Sequence, residues 1–114
     1  MIKKDDKAYL QHIYDAVLRI QTYVKDITYE DFCEKVIIQD AVIRQLEIIG
    51  EATKRISSDT RRRSADIPWK DIAGMRDKLI HNYLGVDIEL VWETIGGEMP
   101  RLKEGVRRIL EELE

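Results

Sequence analysis

The chain has 114 residues, with 19 Lys plus Arg against 22 Asp plus Glu, for a formal net charge of -3. That length gives room for one domain, 1–114, and no second. Apolar residues make up 44% and charged ones 36%, with 6 Gly and 2 Pro, which excludes low-complexity disorder and turn-rich β architectures. No run approaches the roughly 18 apolar residues of a membrane span. The single cysteine, Cys33, closes no internal disulfide, and no Cys/His set has metal-ligand spacing. The opening residues lack the apolar core of a signal peptide, so a cytoplasmic location is expected.

In chain order the periodicity is helical. Tyr9, Ile13, Val17, Ile20, Val24 and Ile27 recur at steps of three and four, one apolar stripe on a helix over about 6–26 that Asp5 or Asp6 can cap. Thr28-Tyr29-Glu30-Asp31 has the form of a capping box with Asp in place of Glu, opening a second helix over about 29–56. Its stripe of Ile38, Val42, Ile49, Ala52 and Ile56 is widened by Val36, Ile37, Ala41, Ile43, Leu46 and Ile48. An arc that wide fits either the central helix of a monomer or a helix that also meets a second protomer.

Residues 57–68 read as the main loop. Pro68 fits the first turn of a third helix over about 69–82, ended by Gly85. Asp87 caps a fourth that keeps its spacing to the end of the chain. Pro100 clashes there with the carbonyl of Gly96, which predicts a kink or break near Gly96-Gly97-Pro100. The expected class is all-α, an up-down bundle of four or five helices with a kinked last helix.

The most informative stretch is Arg76-Asp77-Lys78-Leu79-Ile80-His81-Asn82-Tyr83. On a continuous helix Tyr83 falls about 20° from Arg76, while His81 falls about 140° away and one turn after Asp77. A carboxylate one turn from an imidazole can fix its tautomer and favour its protonated form. The divergence of Arg76 and His81 suggests a cleft completed by a second copy of the same helix. Arginine clamps a phosphate in planar, bidentate fashion, and histidine can give or take a proton near neutral pH. That is what metal-free cleavage of RNA needs: a base for the 2′-OH, an acid for the 5′-oxygen and a cation for the phosphorane. The same string also fits a surface Arg, a surface Asp–His pair and a Tyr anchoring a helix end.

The string resembles the R-x4-H-x-Y signature of the HEPN-domain toxins called HepT, of the HepT/MntA (type VII) toxin–antitoxin systems. The resemblance extends to Ala41–Ala52, to Pro68–Met75 and to Val86–Trp92, and so covers nearly the whole chain in order. It implies a HEPN fold of four or five helices, dimeric about a shared cleft. It also implies a metal-independent RNase that uses no cofactor for cleavage and in which Arg76 and His81 are catalytic, with Asp77 in support. The RNA would be a tRNA or an mRNA. It further implies that Tyr83 is AMPylated by a minimal nucleotidyltransferase antitoxin of the MntA type, whose own substrates are ATP and Mg2+, within a homodimer or a larger toxin–antitoxin complex. A non-catalytic HEPN partner of a nucleotidyltransferase is the alternative, and an orphan helical dimerisation module a third reading.

Asp40, Arg44, Glu47, Glu51 and Lys54 form a charged stripe on the second helix. It is either a solvated face laced with ion pairs or a second wall of the cleft. In the latter case Arg44, with Lys54 and Arg55, would hold RNA, and Glu47 or Glu51 would hold Arg76. Arg61-Arg62-Arg63 reads as a solvated loop run or as an RNA or antitoxin contact. His12 reads as a surface residue, Cys33 as packing, and Trp69 and Trp92 as core anchors.

Overall fold

The computed structural model describes residues 4–81 and 85–113. Among them the class is all-α, as expected: eight helices and one two-residue strand pair. α1 (Lys4–Tyr23) lies along α3 (Val36–Lys54) and α8 (Glu98–Glu112), and these three make the body of the bundle. Their shared interior holds Leu10, Ile13, Val17, Ile20, Val42, Leu46, Ile49, Leu102, Val106 and Ile109, each at most 2% exposed. Burying a side chain of this kind is worth about 1.5–3 kcal/mol, so this interior fixes the α1–α3 angle on which the site depends.

Thr28 caps α2 (Tyr29–Glu34) through a complete capping box, its hydroxyl accepting from Asp31 N and the Asp31 carboxylate accepting from Thr28 N. The second helix is nevertheless two. Lys35 leaves the helical conformation at φ -102°, ψ 83°, and the Gln39 amide donates to the carbonyls of Phe32 and Cys33 that the break exposes. The expected loop at 57–68 contains α4 (Ser58–Arg63), capped by the Ser57 hydroxyl. Asp6 lies in the first turn of α1. It is buried and accepts from Ser57 N at 3.1 Å, Ser57 Oγ at 2.5 Å and Thr60 Oγ1 at 2.5 Å, tying the start of α1 to α4. Arg61 donates to the Thr53 carbonyl, Arg62 pairs with Asp59 and Arg63 with Glu112, so the arginine run is bonded to its own neighbours.

The third helix is also broken. α5 (Trp69–Ala73) and α6 (Met75–Leu79) meet at Gly74, and the chain then turns extended as β1 (Ile80–His81). β1 pairs antiparallel with β2 (Gly85–Val86), in the register Ile80 to Val86 and His81 to Gly85. Gly85 therefore sits in a strand and does not end a helix. Asp87 caps α7 (Ile88–Gly96) by accepting from Leu90 N at 3.0 Å. The break expected near Pro100 falls at Gly97, between α7 and α8. Trp69 is buried with its indole N–H on the Ser64 carbonyl, and Trp92 packs on Phe32 and Tyr29. Cys33 is exposed, contrary to its reading as a packing residue.

Candidate active site

Met75 and Leu79 are buried one turn apart, which leaves Arg76, Asp77 and Lys78 on the outer side of α6. From there the Arg76 Nε donates to Glu47 Oε2 at 3.0 Å. A guanidinium held by a carboxylate through one edge keeps its other N–H groups for a ligand. The pair closes one end of a cleft of about 350 Å3. α3 contributes Arg44 and Glu51 on the turns either side of Glu47, and Arg55 follows at the end of the helix. α1 contributes Tyr9 and His12, with the rings edge-on at a centroid distance of 6.5 Å.

Three arginines thus face two glutamates in one concavity. Among the described residues, Arg44 and Arg55 have no carboxylate within ion-pair distance. Cations in excess of the carboxylates in a cleft favour an anionic ligand, and their planar forks suit phosphate oxygens. Among the described residues no group of three or more His, Cys, Asp and Glu gathers as a metal site.

A family model described as "Ribonuclease HepT-like" matches residues 13–109, from the middle of α1 through most of α8. The chain belongs to the ribonuclease HepT-like family. It is 48% identical over 103 residues to "Probable ribonuclease HepT" of Thermococcus cleftensis, covering 90% of this chain and 93% of that one. It is 47% identical over 114 residues to "Putative RNase MJ0125" of Methanocaldococcus jannaschii, covering 100% and 98%. "Gamma-glutamylcyclotransferase and putative RNase MJ0434" of the same organism is 47% identical over 113 residues, covering 99% of this chain but 51% of the relative; the chain spans about half of that relative's length. No solved structure matches the chain.

In this HepT-like chain the sequence reading of the site is partly corrected. The charged stripe on α3 is a cleft wall, and Glu47, one of two candidates, is the residue that holds Arg76. Glu51 instead pairs with Lys54 at 3.4 Å, so Lys54 stays beside the cleft while Arg44 and Arg55 line it. Arg76 and His81 do not share a helix, because α6 ends at Leu79. The 140° divergence and the one-turn spacing from Asp77 to His81 therefore do not hold. The reason is non-local: Asp87 N bonds the Leu79 carbonyl at 2.9 Å, and β2 pairs with Ile80 and His81, which draws the chain out of the helix. The His81 side chain and Tyr83 lie outside the described residues. Tyr9 and His12 were missed as lining residues. Their spacing of three places them on one face of α1, but only the packing of α1 on α3 turns that face to the cleft.

Proposed function

We propose that this chain is an endoribonuclease that cleaves RNA without a metal ion, by attack of a ribose 2′-OH on the adjacent phosphate. The observation that carries the reading is the cleft of Arg44, Arg55 and Arg76, in which, among the described residues, Arg76 alone has a carboxylate partner. Arg76, held by Glu47, receives the non-bridging phosphate oxygens and offsets the charge that builds on them. His81, two residues past α6, supplies proton transfer. The 2′-O–P bond forms as the P–O5′ bond breaks, leaving a 2′,3′-cyclic phosphate and a 5′-OH. Arg44 and Arg55 hold neighbouring backbone phosphates. The names of the relatives, each of which contains ribonuclease or RNase, support the substrate class.

The chain acts as a homodimer in this reading. Val36 and Ile37 at the start of α3 are 60% and 85% exposed, apolar surface that a second protomer would cover. Tyr83 is the acceptor through which an MntA-like nucleotidyltransferase, using ATP and Mg2+, silences the enzyme. An added AMP brings a phosphate that competes for Arg76. The test is incubation of purified protein with total RNA in EDTA beside Arg76→Ala and His81→Ala. Wild-type cleavage to cyclic-phosphate ends, lost in both variants, is expected; loss of wild-type activity in EDTA would refute metal independence. Intact mass after incubation with the nucleotidyltransferase and ATP should show AMP on wild type and none on Tyr83→Phe.

A further inference from the structure

The chain has two histidines, and the HepT-like signature uses one of them, His81. The other, His12, stands on α1 beside the buried Ile13, at the wall of the cleft that Arg76 closes. Resting on the ribonuclease reading above, we propose that His12 is a second proton-transfer residue of this site.

The attacking and leaving oxygens lie roughly in line on opposite sides of the phosphorus. One proton must leave the 2′-O as its bond to phosphorus forms, and another must reach O5′ as the P–O5′ bond breaks. Two groups placed on different sides of the phosphate do this better than one. The His81 backbone lies in β1, two residues past the end of α6. His12 stands on α1, a separate helix held against α3 by the core, and lines the same cleft as Arg76. The protons then balance within one chain: one imidazole accepts from the 2′-O and the other donates to O5′.

The charged and titratable groups that share the cleft with His12 are Tyr9 on its own helix, Arg44, Glu47, Glu51 and Arg55 on α3 and its end, and Arg76 on α6. α8, which also packs on α1, sends Lys103 to Gln21, nine residues further along. Among the described residues, the cleft thus offers the imidazole no acid–base partner other than the substrate and these side chains.

The test uses the full chain carrying His12→Asn or His12→Gln, with kcat, KM and pH–rate profiles on an RNA that wild type cleaves. His12 is exposed, and circular dichroism of both variants checks that the bundle is retained. The expected result is a fall in kcat of about a hundredfold or more, KM within about threefold, and loss of one limb of the bell-shaped profile. A lost acidic limb makes His12 the base, and a lost alkaline limb makes it the acid. Unchanged kcat, a rise in KM alone, or a lower kcat with both limbs in place would overturn the proposal while leaving the ribonuclease reading standing. A wild-type chain that cleaves no RNA would overturn both.

Discussion

Two clefts of the molecule differ in kind, and the larger of the pair is not the one that suits a phosphate. The larger, of about 660 Å3, lies between α8 and the segment before α5, on a floor of Ile67, Pro68, Pro100 and Leu102. Its rim sets Asp66, Glu98 and Glu104 against Arg101 and Arg108, and Arg108 is bonded to Asp66 at 2.7 Å. The smaller sets three arginines against two glutamates and, among the described residues, leaves two of the arginines without a carboxylate partner. Volume and apolar lining are a default guide to ligand sites. Here the sign of the lining and the cations left without partners are the better guide, because a polyanion is recognised first through its phosphates.

The largest expected effect follows directly. Arg76→Ala should lower RNA cleavage by about a hundredfold or more, the usual consequence of removing a donor to the developing charge. Arg101→Ala, on the rim of the larger cleft, should change it by less than about twofold, since surface substitutions away from a site do little. Rates on one RNA, with circular dichroism for folding, check both. An equal loss in the two variants would break the comparison.

The smaller cleft was half legible in the sequence. The three-and-four spacing of Arg44, Glu47, Glu51 and Lys54 survives because α3 is a long helix whose opposite side is buried, so the period maps onto real faces. The stretch from Trp69 to His81 fails the same reading. Its residues suit a helix locally, but Gly74 divides it and the pairing of Ile80 with Val86 overrides local preference after Leu79. The break at Lys35 has the same character: no turn residue marks it, and the Gln39 side chain that satisfies it comes from the following helix. α4, by contrast, had a signal that was passed over, a Ser57 N-cap with Asp59 in the first turn.

The larger cleft owes part of its shape to a packing need. Gly105 on α8 faces Ile67, and a Cβ there would stand 2.6 Å from Ile67 Cδ1 and 2.7 Å from Cγ1. Both residues are buried and the β-branched Ile67 has few rotamers to move into. Gly105→Ala should therefore destabilise the fold by about 1–3 kcal/mol, as overpacking does, while cleavage per folded molecule stays unchanged. Denaturant titration beside specific activity separates the two. Activity lost without loss of stability would give this cleft a functional role.

A smaller effect is expected at Glu47. Glu47→Gln keeps the shape but removes the charge that orients Arg76, across a pair whose side chains are 32% and 51% exposed. Solvent at that exposure screens the interaction, so cleavage should fall only about three- to tenfold. Glu51→Gln, whose partner is Lys54, should fall less. If the order of the two variants is reversed, Glu47 is not the residue that positions Arg76.

The smallest effect belongs to the rim of the larger cleft and is a dependence on pH. The hydrogen bond from the Arg108 guanidinium holds the Asp66 carboxyl below the usual carboxylate range, with partial desolvation pulling the other way. A carboxylate depressed in the folded state stabilises the fold at pH values above its unfolded pKa, about 3.9 for Asp. That contribution is lost as pH falls through the lower, folded value. The pair is exposed on both sides, so the effect is slight and weakens with salt. Thermal midpoints of wild type and Asp66→Asn, taken from about pH 7 down to about pH 2, should differ most near neutrality and converge at the acid end, where Asp66 is protonated in both folded and unfolded chains. A gap that widens in acid would contradict the assignment. RNA cleavage at neutral pH should be the same in both proteins, because the negative rim of this cleft repels the phosphate backbone that the arginines of the other cleft attract.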